Sequence, residues 1–277
     1  MTLVMGIVNV TPDSFSDGGR YADAEAAVAH GLRLRAQGAD ILDVGGESTR
    51  PGADRIAPGV EQERVLPVVQ ALAEAGAVVS IDTMNASTAT AAVAAGARIV
   101  NDVSGGMADP DMLAAVAESG ADVVLQHWRG HSADMYAHAD YDDVVSEVIA
   151  ELAARVDAAA AAGIPPSRVV LDPGIGFGKR GAQNWQTLHG LPRIVAVGPR
   201  VLVGTSRKRF LAEALADDPA EATEERRDLA TAVTSVLAGQ AGVWAVRVHD
   251  VAASRDALIV ARNWEGTGRW VAQTRSR

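Results

Sequence analysis

The 277-residue sequence contains no cysteine. Structural disulfides and thiolate metal sites are therefore excluded, which fits a reducing compartment. Aromatic residues make up only 4% of a chain that is 48% hydrophobic, so Ala, Val, Leu and Gly must build the core. No segment approaches the roughly 18 uncharged apolar residues of a membrane span. The N-terminus also lacks a basic region followed by an apolar run and a cleavage site. These absences predict a soluble cytoplasmic protein. Positive charge is in deficit, with 25 Lys and Arg against 35 Asp and Glu and a formal net charge of −10. That balance argues against general nucleic-acid binding. It leaves an anionic small ligand open, because local groups decide that.

What is present is a repeat. Eight short apolar runs are visible: Leu3–Val10, Asp40–Val44, Val78–Ile81, Arg98–Val103, Asp122–Gln126, Arg168–Leu171, Val201–Val203 and Val243–Val248. Ala-rich stretches with helical spacing lie between them, among them Ala24–Ala36, Val60–Ala75, Ser87–Ala95, Val144–Ala162 and Leu229–Leu237. Glycines at 38, 76, 96, 120 and 163 stand where helix ends favour a left-handed residue. Strand, helix, glycine, strand, repeated, predicts a single-domain α/β fold, a (β/α)8 TIM barrel, with a doubly wound open sheet as the alternative. The barrel is expected over 1–263, and Trp264–Arg277 read as a C-terminal tail.

Each run ends in a polar residue. The first reaches Asn9 and breaks at Thr11-Pro12; the second enters Gly45-Gly46-Glu47-Ser48-Thr49-Arg50-Pro51-Gly52. The others end at Asp82, Asn101-Asp102, Gln126-His127, Asp172, Thr205-Ser206-Arg207-Lys208 and Arg247-Val248-His249-Asp250. In a barrel these ends share one face, where active sites of the fold lie. Buried polar groups need partners, so eight of them at one mouth point to a ligand. Asp82, Asn101, Asp172 and Lys208 suit a flat polar heterocycle with both N–H and C=O edges. Thr49, Arg50, Arg207, Arg247, His249 and the Gly45-Gly46 backbone suit a phosphate or pyrophosphate. Gly174–Lys179 resembles a phosphate loop but lacks the full P-loop spacing. His127, His131 and His138, with Asp134 and Asp140, raise a metal site as an alternative, against which Gly130 and the loop-like surroundings argue.

The motifs MGIVNVTPDSFSDGG, DVGGESTRPG, SIDT, NDVSGG, LDPGIGFGK, GTSRKRF and VRVHDV occur in the order found in dihydropteroate synthases, and the chain resembles that pterin-binding TIM-barrel family over nearly its whole length. The resemblance implies a transferase of folate biosynthesis that condenses 6-hydroxymethyl-7,8-dihydropterin pyrophosphate with 4-aminobenzoate, giving 7,8-dihydropteroate and pyrophosphate. It implies that Asp82, Asn101, Asp172 and Lys208 hold the pterin, with Arg247 against its face. Asn9, Thr49, Arg50, Arg247 and His249 would meet the pyrophosphate, with Mg²⁺ between Asn9 and the phosphate oxygens. Thr49, Pro51, Phe177, Lys208 and Ser206 would line the aminobenzoate site. Asp82, Asp172, Lys208, Arg247 and His249 are the residues expected to carry catalysis. The family is usually dimeric and is the target of sulfonamides. Arg247 and His249 are expected to matter more for turnover than for folding, and the loops Thr11–Gly19 and Glu47–Asp54 are expected to order when pyrophosphate and Mg²⁺ bind. The stretch after His127, HWRGHSADM, departs from the family's usual Met-x-Gly-x-Pro-x-Thr-Met, which leaves the fifth loop without an assigned role. A pterin barrel of the corrinoid methyltransferase type and an inactive paralogue are the remaining alternatives.

Overall fold

The computed structural model describes residues 1–10, 19–47, 55–131, 136–137 and 139–268, with side chains in the first helix described from residue 24. Eight parallel strands close a barrel in sequence order. They are β1 (Leu3–Asn9), β2 (Ile41–Gly45), β3 (Val79–Asp82), β4 (Ile99–Asp102), β5 (Asp122–Gln126), β6 (Val169–Asp172), β7 (Arg200–Val203) and β8 (Ala245–Val248). β8 pairs with β1, Met5 standing beside Arg247, so no strand edge is left open. Parallel neighbours require crossover connections, and helices supply them. These are α1 (Gly19–Ala36), α2 (Pro58–Glu74), α3 (Ala86–Ala94), α4 (Met112–Ser119) and α5 (Val144–Ala161). The second half adds α6 (Ala182–His189), α7 (Leu191–Val195), α8 (Arg209–Leu215), α9 (Glu224–Gln240) and α10 (Val251–Trp264).

The strands are buried on both faces, which is why they read as near-continuous apolar runs. Alternate residues such as Val8, Val44, Ile81, Leu125, Leu171 and Val203 face outward and pack with Val65, Leu72, Val148 and Leu152 of the helices. The intervening residues face the barrel axis. There Met5, Ile41, Ile99, Val124, Val170, Leu202 and Ala245 form a second apolar cluster, a floor to the barrel. The five glycines read as helix stops all have positive φ, from 76° at Gly120 to 113° at Gly96. Strand ends differ slightly from the sequence reading. β2, β3 and β6 each continue one residue past the last apolar side chain, to Gly45, Asp82 and Asp172. Ladder pairing is a backbone property and does not stop where hydrophobicity does.

Candidate active site

Two residues beyond the floor, the same inward positions change character. Asp43 follows Ile41, Asn101 follows Ile99, Gln126 follows Val124, Asp172 follows Val170 and Arg247 follows Ala245. Asp82 joins them from β3, paired in register with Asn101. Period-two alternation puts all six inside the barrel at its C-terminal mouth. Asp43, Asp82, Asn101, Gln126 and Asp172 are all buried.

Arg247 organises one side of this ring. Its Nε donates to Asp43 Oδ2 and its Nη2 to Asp82 Oδ2, both at 2.6 Å. Asn101 Nδ2 donates to the same Asp43 oxygen at 3.0 Å. Asp43 Oδ1 is buried with no hydrogen-bond partner among the described residues. Burial pushes the Asp82 carboxyl up to about 7; Arg247 opposes that shift and the adjacent Asp43 adds to it. Burial also works against the charge of Arg247, but Asp43 and Asp82 outweigh it and hold the guanidinium more firmly protonated than usual.

The other side is built on loops. Asp172 Oδ1 accepts from Gly174 N at 2.7 Å, and burial raises its carboxyl against the opposing charge of Lys208. Lys208 Nζ donates to Ile175 O and lies 4.6 Å from the centre of the Phe177 ring. Burial brings its ammonium down to about 8, with Asp172 opposing. Ser206 Oγ is 2.8 Å from His249 Nδ1 and accepts from His249 N at 3.0 Å, which ties the β7 and β8 ends together. Asn9 ends β1 facing the same mouth, half-buried, beside Gly45 of β2.

Some sequence expectations land elsewhere. Arg207, grouped with the anion-binding residues, turns away: its Nε and Nη2 meet Asp228 of α9 at 2.7 and 2.8 Å, and Nη1 lies 2.8 Å from Glu224. It also takes φ of 57°, a conformation uncommon outside glycine. Lys179 of the glycine-rich stretch points into the protein and bonds its own loop, in keeping with the discounted phosphate-loop reading. His127 is buried against Lys179 while His131 is exposed, and no metal-holding cluster of His, Cys, Asp or Glu exists among the described residues. Thr49, Arg50 and Pro51 lie outside the described residues, as do Asp134, His138 and most of the two loops expected to order on binding. Sequence reasoning missed Asp43, which joins Arg247 to Asn101. Its signal was available: an acidic residue in mid-strand, in ILDVG, contradicts burial unless it has a partner.

The arrangement is a buried, polar cup of three carboxylates and two cations beside a wall formed by Phe177, Lys208, Ser206 and His249. A model of the pterin binding enzyme family matches residues 5–249. The chain is 55% identical over 274 residues to the dihydropteroate synthase of Mycobacterium leprae (strain TN), covering 98% of this chain and 96% of the relative. Its fold is similar to that of Xanthomonas albilineans dihydropteroate synthase solved with 4-aminobenzoic acid, with a TM-score of 0.88, 47% identity, and 95% and 93% of the two chains covered. The same enzyme in complex with 7,8-dihydropteroate matches with a TM-score of 0.84 at 44% identity, covering 95% of this chain and 94% of that one. By sequence, fold and the placement of its polar strand ends, the chain belongs to the dihydropteroate synthase family of pterin-binding enzymes.

Proposed function

We propose that the chain condenses 6-hydroxymethyl-7,8-dihydropterin pyrophosphate with 4-aminobenzoate to form 7,8-dihydropteroate and pyrophosphate. The observation that carries this reading is the ring of buried polar side chains that replaces the apolar layer at the barrel mouth. A planar pterin presents amide and amino edges, and Asp82, Asn101, Asp172 and Lys208 offer acceptors and donors to match. Arg247 lies against the ring face, a cation–π arrangement, and Asp43 holds it there. Phe177, Lys208 and Ser206, with Thr49 and Pro51, would line the aminobenzoate site. Arg247, His249, Thr49 and Arg50 would meet the pyrophosphate. The barrel of residues 1–263 is the pterin-binding unit of this reading.

The chemistry asks the protein for position and charge, not for a nucleophile. The amine nitrogen of 4-aminobenzoate forms the new N–C bond to the pterin methylene. The C–O bond breaks, its electron pair leaves on pyrophosphate, and the amine loses a proton. Charge grows on the leaving oxygens, so cations and donors already in place there lower the barrier. Mg²⁺ fits the residues in one respect. Asn9 offers a neutral oxygen at the mouth, and among the described residues it makes no side-chain hydrogen bond and stands in no cluster of His, Cys, Asp or Glu that could hold a metal. A hard cation held by one protein oxygen would keep several waters and take substrate phosphate oxygens as further ligands. Asn9 would help hold the ion there, and its charge would offset that of the pyrophosphate.

Two coarser expectations belong to the same reading. Leu229, Val233 and Leu237 are exposed along one face of α9, and Val260 and Trp264 are exposed on the neighbouring α10. An apolar stripe of this kind supports a homodimer, which sedimentation would detect. No described helix is long and apolar enough to cross a membrane. With the absence of cysteine, that is consistent with a cytoplasmic location. The test of function is direct. Supply both substrates and Mg²⁺, and measure pyrophosphate release together with dihydropteroate. Failure to release pyrophosphate would overturn the reading.

A further inference from the structure

Lys179 is among the largest fully buried side chains of the protein, 1% exposed. Its ammonium has three acceptors: His127 Nδ1 at 3.0 Å, Gly174 O at 3.1 Å and Phe177 O at 3.3 Å. An ammonium has three donors, so its capacity is filled. For His127 Nδ1 to accept, the ring proton must sit on Nε2. Burial, and then the charge of Lys179, bring His127 down to about 4, so the ring is neutral at pH 7. His127 Nε2 faces Glu151 Oε2 at 2.9 Å, close but out of line for a hydrogen bond.

The loop that Lys179 grips is the one that carries the site. Its carbonyls are taken in turn: Gly174 by Lys179, Ile175 by Lys208, Phe177 by Lys179 and Gly178 by the Tyr141 hydroxyl at 2.9 Å. Tyr141 lies under Arg129, whose guanidinium carbon is 3.8 Å from the ring centre, and Arg129 reaches Glu147 at 2.8 Å. The β5–α5 connection therefore holds the β6–α6 loop through His127 and Tyr141, and Arg180 of that loop donates back to Tyr136 O at 2.8 Å. Gly174 shows how close the fit is, since a Cβ there would stand 2.5 Å from His127 O.

A buried ammonium is a costly choice. Burial lowers Lys179 to about 7, the opposing charge of Asp172 notwithstanding. A methionine would fill much the same space without desolvating a charge, but it would leave the three buried acceptors unpaired. What methionine cannot do is satisfy three acceptors that converge on one point. We propose that Lys179, backed by His127, is a positioning residue: it gives the 173–178 loop the shape in which Phe177 and Lys208 meet 4-aminobenzoate. The inference rests on the reading of the site given above.

Three variants test it: Lys179→Met, His127→Leu and His127→Asn. Each is compared with the wild-type chain in its turnover number, its Michaelis constant toward aminobenzoate and its melting temperature. Lys179→Met is expected to raise that Michaelis constant at least tenfold while the turnover number changes less than threefold. His127→Leu should act in the same direction, and His127→Asn, whose amide oxygen can still accept from Lys179, should recover most of that loss. If Lys179→Met melts lower but keeps a Michaelis constant within twofold of wild type, Lys179 is a core residue only and the inference fails. If Lys179→Met does not fold, the His127 pair decides, and equal Michaelis constants for Leu and Asn overturn the inference. No turnover by the wild-type chain would overturn the functional reading and this inference with it; wild-type turnover with unaltered variants overturns this inference alone.

Discussion

The floor and the mouth of the barrel are made by the same strands, two residues apart, and both are buried. The floor is apolar: Met5, Ile41, Ile99, Val124, Val170, Leu202 and Ala245. The mouth holds Asp43, Asp82, Asn101, Asp172 and Arg247. In the floor, packing does all the work and any residue of suitable volume serves. At the mouth, the charged groups face specific partners: Arg247 is shared by Asp43 and Asp82, and Lys208 faces Asp172. Burial is therefore not what separates core from site. Partnering is, together with the polar capacity that partnering leaves for a ligand.

Four experiments put this contrast at risk. The largest effect is expected from carrying the mouth's chemistry into the floor. Val124→Asp buries a carboxylate with no cation among its floor neighbours, costing several kcal/mol, a large fraction of a typical stability of roughly 5–15 kcal/mol. Chemical denaturation should show a much lower midpoint, and a wild-type midpoint would mean the floor is wet. The next largest is Arg247→Ala. Turnover should fall about 10²–10³-fold, the scale of losing a preorganised charge-stabilising donor. The sequence alone suggested little change in melting. The pairing with Asp43 and Asp82 revises that, because two buried carboxylates lose their shared counter-ion. Without Arg247 the folded-state value of Asp82 moves further above its ordinary value of 3.8. A group raised in this way contributes stability at low pH and loses it as pH rises through its folded value. The variant's melting deficit should therefore be larger at pH 8 than at pH 5; a deficit that does not change with pH would show that the Asp82 proton does not depend on Arg247.

Asp172→Asn is a smaller change, because an amide oxygen can still accept from Gly174 N. Pterin affinity should weaken by about 1.5–3 kcal/mol, typical of a charge-assisted hydrogen bond. Calorimetry giving the wild-type constant would remove Asp172 from the pocket. The smallest effect concerns the proton on Asp82, raised to about 7 by burial. If the ionised form receives the pterin, a protonated Asp82 must release its proton on binding. Affinity should then weaken by up to about tenfold per pH unit below 7 and level off above it. Asp82→Asn should abolish the dependence. A flat profile in the wild type would mean that Asp82 keeps one protonation state throughout.

Much of this was legible in the chain. The eight strands were readable because both faces are buried, so each shows as an apolar run; Asp122–Gln126 matches β5 at both ends. The polar strand ends were readable because a hydrogen-bonding residue closing such a run has no packing role. Short helices such as α6, α7 and α8 were harder, since one or two turns carry too little periodicity to separate from loop. Asp43 was passed over because it stands inside a run, not at its end. Arg207 was assigned by adjacency to Lys208, yet neighbours in a turn point in different directions, and Asp228 lies 21 residues away in α9.

The repeat, the barrel and the identity of the residues that reach its mouth are written in the linear chain, because hydrophobic period, glycine stops and strand-end polarity are local properties. Which charges meet is settled only when the chain folds. Arg247 is 204 residues from Asp43 and 165 from Asp82, yet it bonds both. Barrel closure puts β8 beside β1, and β2 and β3 follow next around the ring. The role of Lys179 is settled the same way: a lysine after a glycine-rich stretch reads as solvent- or phosphate-facing. It is an internal strut only because the fold brings His127 and two carbonyls within reach of its ammonium. Side-chain partners are set by three-dimensional proximity, and a linear chain does not encode that until its ends are brought together.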